Sequence, residues 1–129
     1  MIELRIRELR GVMSILSKVA KSELPIVLSY KIAKIIRALN AEIPAVESAN
    51  KKLLSRYGKL DKDGRYIYHA DGTLDVEQAL QEDYDREFKE LMDTCITIPC
   101  ERISIEALER NGIRLSPIEV MTIEGLLTE

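Results

Sequence analysis

Residues 25–57 read PIVLSYKIAKIIRALNAEIPAVESANKKLLSRY, with apolar residues at helical spacing throughout. Ile32, Leu39, Val46 and Leu53 recur every seven residues, flanked by Leu28, Ile35, Ile36, Ile43, Ala49 and Tyr57. Apolar side chains at that spacing draw one stripe along a helix, and the stripe needs a surface to cover it. The segment just upstream supplies one. Leu9, Val12, Met13, Leu16, Val19 and Ala20 follow i, i+3, i+4, i+7 spacing, while Arg10, Ser14, Ser17, Lys18 and Lys21 fall largely on the other face. Pro25 ends this first helix and suits the first turn of the next, where its missing N–H is not needed. The two segments predict an αα-hairpin over 7–57. An intermolecular coiled coil is the other use of such a stripe. It is disfavoured by a length of only about four heptads and by Glu42 and Asn50, which weaken the seam. Pro44 removes one backbone hydrogen bond and biases Ile43 away from helical angles, which predicts a kink or a break there.

At the N-terminus, Ile2, Leu4 and Ile6 alternate with Glu3, Arg5 and Arg7, the signature of a half-buried strand over 2–6. Downstream, Gly58 suits a helix C-cap. Asp63-Gly64 and Asp71-Gly72 are turn signals on either side of Arg65–His69, predicting a small hairpin or two short strands. Asp75 and Gln78 have the spacing of an N-cap and its N3 partner. Val76, Ala79, Leu80, Tyr84, Phe88, Leu91 and Met92 then form one face of a third helix. Cys95–Ile103 reads as a strand that Pro99 confines to an edge or interrupts with a bulge. Ser104 can cap a short helical segment ended by Asn111-Gly112. Ser116-Pro117-Ile118-Glu119 combines a capping box with proline at the first helical position. The predicted fold is a single domain, 1–129, of the α+β class: mainly helical, an αα-hairpin with a small antiparallel β-sheet. Strand 2–6, the 65–69 hairpin and strand 96–103 are the expected members of that sheet.

Composition sets the outer limits. Apolar residues make up 46% and charged residues 32% of the 129, with a net charge of −3, which excludes a disordered tail or a collagen-like repeat. No apolar run is long enough for a bilayer, and the opening MIELRIRELR lacks the apolar core of a secretory signal. The net charge hides a split: residues 1–60 carry 12 Lys and Arg against 5 Asp and Glu, residues 61–129 carry 7 against 17. Such a split can mark a nucleic-acid face beside an acidic tail. The favoured reading is that basic and acidic elements pack together, within one chain or across a dimer, because both halves carry core-forming periodicity.

The chemistry-bearing residues are sparse. With Gly64 at the sixth position of a calcium loop, Lys59 falls at the first and Ala70 at the twelfth, so the pattern fails. Cys95 and Cys100, five apart on a strand, point to opposite faces roughly 16 Å apart and are read as buried, reduced thiols of a cytoplasmic protein. His69, the only histidine, is flanked by Asp71 but has no nucleophile in a recognisable frame, and is read as a turn residue. The carboxylates of 82–93 are read as a solvated helix face. No phosphate-binding glycine loop is present. Arg10, Lys18, Lys21, Lys31, Lys34 and Arg37 lack the interleaved aromatics that stack bases. The expectation is a non-enzymatic protein with no metal and no cofactor.

Four stretches carry a family resemblance: ELPIVLSYKIAKIIRALN (23–40), ESANKKLLSRYG (47–58) with the Asp-Gly turn after it, DREFKELMDT (85–94) leading into ITIPCERISIEAL (96–108), and IRLSPIEVMTIEGLL (113–127). Together they cover most of the chain. It resembles a family of small proteins of uncharacterised function encoded by tailed bacteriophages and prophages, departing from it in Pro44. The resemblance implies a phage protein acting through protein–protein contacts in virion or tail assembly, or as an accessory factor, in the host cytoplasm or on the particle. It carries over no catalytic residues. A phage-encoded inhibitor using the acidic second half against a basic host or defence protein is the runner-up, and nucleic-acid binding through the basic first half is the third reading.

The last helix completes the sequence picture. Ile118, Val120, Met121, Ile123, Leu126 and Leu127 exceed the roughly four residues that a ~100° core stripe can take. One side is therefore expected to meet another subunit, most simply in a two-fold dimer, with Val120, Ile123 and Leu127 near the interface.

Overall fold

A computed structural model describes residues 1–129. The fold is mainly helical α+β, with a long helical hairpin, a small antiparallel two-stranded sheet and 60% of residues in helix. The elements run β1 (Ile2–Arg5), α1 (Ile6–Ala20), α2 (Ile26–Tyr57), α3 (Gln81–Met92), β2 (Cys95–Ile98), β3 (Ile103–Ser104), α4 (Ile105–Arg110), α5 (Pro117–Ile123) and β4 (Leu127–Thr128). Single 3₁₀ turns precede α3 at Gln78–Leu80 and follow α5 at Glu124–Leu126. The residues group into two compact units: Met1–Ile43 with Cys95–Glu129, and Pro44–Thr94.

The first unit is built on the hairpin and the β1–β2 pair. Ile2 faces Ile98 and Leu4 faces Ile96 in antiparallel register, and all four are buried, while Glu3 and Arg5 stand outward opposite Thr97 and Cys95. That alternation fixes the register, because a slip of one residue would turn every apolar side chain to water. Val12, Leu16 and Val19 of α1 and Ile32, Ile35 and Leu39 of α2 fill the core. They occupy the stripe positions that the sequence marks. Arg5 opens α1: its backbone N–H donates to the Glu8 carboxylate at 3.0 Å, half of a capping box. The hairpin loop closes where Ser22 N–H donates to Val19 O at 3.0 Å, and α2 starts as Ser29 N–H donates to Pro25 O at 2.9 Å.

Two strand expectations are corrected here. The 96–103 strand ends at Ile98, because Pro99 has no N–H with which to continue a ladder. The chain resumes as β3, which pairs in parallel with β4: Ile103 lies opposite Leu127, and Ser104 opposite Thr128. Nor does the 65–69 hairpin join the β1–β2 sheet. Pro44 neither breaks nor ends α2, which is helical from Ile26 to Tyr57.

The second unit holds the rest of α2, α3 and a small all-antiparallel bridge motif. Gly58 pairs with Val76, Leu60 with Tyr66, and Tyr68 with Leu74. Backbone hydrogen bonds close the motif into a ring: Lys59 N–H donates to Asp75 O, Asp75 N–H to Ile67 O, and Ile67 N–H to Lys59 O, at 3.1, 2.8 and 3.0 Å. The corners are the two Asp-Gly turns, where Gly64 and Gly72 take positive φ of 78° and 88°. The Asp61 carboxylate accepts from Asp63 and Arg65 N–H in the first turn, and the Asp71 carboxylate accepts from Thr73 N–H in the second. Asp75 is thus a ring member rather than a helix cap. The helix begins only at the 3₁₀ turn 78–80, with no side-chain cap.

Folding back also redistributes charge. The first unit collects 11 Lys and Arg against 10 Asp and Glu, the second 8 against 12. The +7 and −10 halves of the sequence become units of +1 and −4, because residues 95–129 pack with 1–43.

Candidate interaction surface

The local chemistry of α5 fixes where the helix starts. Ser116 caps the helix: its Oγ accepts from Glu119 N–H at 3.2 Å, while the Glu119 carboxylate accepts from Ser116 N–H at 2.9 Å. The same carboxylate accepts from the Lys18 ammonium of α1 at 2.9 and 3.0 Å. Ser116's backbone N–H and then the Lys18 contact hold the Glu119 carboxyl below the usual range. The Lys18 contact joins α5 to α1. At the crossing, a Cβ on Gly11 would stand 3.1 Å from Thr122 Cγ2, so the absence of a side chain at 11 allows the close approach.

Packed this way, α5 divides. Ile123 is 1% exposed, and with Leu126 and Leu127 it closes the core of the first unit. Ile118 and Met121 are 76% and 72% exposed, and Val120, further round the helix, is 39% exposed. Of the three side chains read from the sequence as interface residues, Val120 therefore lies outward, and Ile123 and Leu127 point inward. The outward pair borders a shallow groove of about 400 Å³ lined by Arg7, Glu8, Gly11, Ile118, Met121 and Thr122. Ile118 and Met121 are three apart, neighbours on one helix face. Sequence periodicity could not choose between the two sides, because both are apolar.

A second exposed apolar group lies on the first turns of α2, where Ile26, Val27 and Tyr30 face water. The Lys34 ammonium stands 6.0 Å from the Tyr30 ring centroid, a cation–π distance.

The residues weighed for catalysis or metal binding lie apart. His69 is exposed, and its Nε2 stands 3.6 Å from the Asp75 carboxylate rather than from Asp71. Asp71 is occupied by Thr73, whose hydroxyl donates to it at 2.6 Å and holds its carboxyl below the ordinary range. Cys95 is exposed, which corrects the expectation of two buried thiols, and only Cys100 is buried. The Glu3 carboxylate near it raises the Cys95 thiol above its usual range, so little thiolate forms at neutral pH. No group of three or more His, Cys, Asp and Glu is placed to hold a metal ion.

In the second unit, Tyr84 meets Tyr57 edge-on and stacks on Phe88, both with centroids 5.8 Å apart, and Arg56 donates to Glu87 at 2.9 Å. The Glu87 carboxylate beside it raises the Tyr57 phenol. This cluster ties the end of α2 to α3 through ordinary packing. No helix of the chain is long and apolar enough to cross a membrane. No family model, curated protein or solved structure matches the chain.

Proposed function

We propose that the chain is a non-enzymatic protein that works through protein–protein contacts, as an assembly or accessory factor of a phage particle, and that it self-associates through the outer face of α5. The observation that carries the reading is the exposure of Ile118 and Met121 beside a groove, on a helix whose other side is already buried. Large apolar side chains grouped on a surface cost solubility unless something covers them. A two-fold axis through α5 would set Ile118 and Met121 of one copy against those of the next. The phage setting comes from the resemblance of the sequence.

Light scattering over a concentration series tests the self-association. The wild type is expected above monomer mass. The double variant Ile118→Asp, Met121→Asp is expected at monomer mass with an unchanged circular dichroism spectrum, since neither residue is part of the core. A wild-type monomer at high micromolar concentration would refute it. Mass spectrometry of purified virions and assembly intermediates tests the setting, and detection in neither counts against it. The net −4 of the second unit favours one other reading, an inhibitor docking on a basic host protein. That reading gains if the protein is absent from particles and binding to its target weakens steeply with salt.

A further inference from the structure

We infer that the solvent face at the start of α2 is a second docking site, built for an acidic, partly apolar segment of a partner protein. The inference rests on the reading of the chain as a protein-contact module, but uses a different surface from α5. Residues 24–41 contain no Asp or Glu, although the chain as a whole has 22. Within that stretch Ile26, Tyr30, Lys34 and Arg37 recur at four-, four- and three-residue steps and so share one face, with Val27 beside them. All five are exposed, and Ile26 is 86% exposed. The opposite face is spent on the core through Leu28, Ile32, Ile35 and Leu39. No carboxylate pairs with Lys34 or Arg37, whereas Lys31 at the side of the helix meets Glu101 at 3.4 Å.

The layout selects the partner. Apolar side chains occupy the first two turns and cations the two after, in sequence along one outward face roughly 17 Å long. A segment with apolar anchors at one end and carboxylates two to three turns further on would satisfy both parts. Its carboxylates would find two unneutralised cations, and its apolar anchors would cover Ile26 and Val27. Tyr30 and Arg37 are residue types enriched where protein contacts concentrate their energy. A membrane-surface helix separates apolar from basic residues across its circumference, and here the face opposite the cations is already inside the protein. Two cations and one aromatic are too few for a nucleic-acid track, which needs repeated phosphate contacts and stacking platforms.

The test is an NMR titration of the full chain with a synthetic amphipathic Leu/Glu helical peptide. A Leu/Lys peptide, phosphatidylserine vesicles and duplex DNA serve as the alternative ligands. The expected result is saturable binding of the Leu/Glu peptide below about 1 mM, with shifts centred on the amides of 26–41. Lys34→Glu with Arg37→Glu should weaken it roughly tenfold, and Tyr30→Ala should weaken it too. Arg114→Glu, which also reverses an exposed charge, should leave it unchanged. No saturation, shifts centred elsewhere, or a stronger response of these amides to vesicles or DNA would overturn the inference. So would concentration-dependent shifts at 26–41 without peptide, which would make a second copy the occupant. Loss of peptide binding while the α5 self-association persists would sink this inference alone; loss of both would sink the reading beneath it.

Discussion

Gly58→Ala probes the joint where α2 hands over to the bridge ring of the second unit. A Cβ at position 58 would stand 2.6 Å from Tyr66 Cδ1 and 2.8 Å from Leu54 O. The second contact is the harder to relieve, because Leu54 O is backbone and accepts from Gly58 N–H at 2.8 Å. Moving either partner loosens that last helical bond or the Gly58–Val76 bridge. Overpacking of this kind costs about 1–3 kcal/mol. Alanine also restricts the unfolded chain, which offsets about 0.4–1 kcal/mol. The net expectation is a loss of about 1–2 kcal/mol, or roughly 4–8 °C in Tm for a chain of this length. Gly125→Ala is the matched control. Its φ is also not positive, and its new Cβ would meet only Glu3 O at 3.6 Å, an ordinary contact. It should stay within about 0.5 kcal/mol of wild type. Urea and thermal unfolding followed at 222 nm measure both. A Gly58→Ala variant as stable as Gly125→Ala would refute the steric argument and with it the close packing of Tyr66 on the end of α2.

Three further outcomes follow from the same contacts. At protein concentrations low enough to keep the chain monomeric, Ile123→Asp should lose more than about 4 kcal/mol or fail to fold, since it puts a charge into the core, whereas Ile118→Asp should stay within about 0.5 kcal/mol; equal losses in denaturant unfolding would contradict the division of α5. Pro44→Ala should stabilise by about 1–2 kcal/mol, because a helix-interior proline costs about 3 kcal/mol and its replacement frees the unfolded chain by up to about 1 kcal/mol; a fall in the urea midpoint would show the proline fitted to a distorted site. Glu119 titrates below its ordinary range in the folded chain, so its contribution is present above the unfolded carboxylate pKa and is lost as pH falls through the folded one. The Tm gap between wild type and Glu119→Gln should therefore be open at pH 7 and narrow toward pH 3, and a gap independent of pH would exclude the Lys18–Glu119 contact as its source.

Sequence alone determined what depends on neighbours a few residues apart. The 3.6-residue stripes of α1 and α2, the start of α2 just after Pro25, the Ser116–Glu119 capping box and the alternation of Ile2 and Leu4 are all local patterns, and each was legible with its physical reason. The two Asp-Gly turns were legible as turns, yet not as corners of one ring. The signal was there in their eight-residue spacing, which sets 58, 66 and 74 and also 60, 68 and 76 in equivalent places. Closing the ring takes hydrogen bonds between residues 8 and 16 apart, which no local propensity encodes. The β3–β4 pair is longer in range still, joining Ile103 to Leu127. Tertiary structure decided the side of α5 that faces water, because Ile123 and Ile118 are equally apolar, and the rotation comes from burial of Ile123, Leu126 and Leu127 in the core, with the Lys18–Glu119 contact and the notch at Gly11 consistent with it. It also decided the meaning of the charge split. A count along the chain makes the first half strongly basic, but burial of the hairpin's apolar stripe brings residues 95–129 onto 1–43, and their carboxylates come with them.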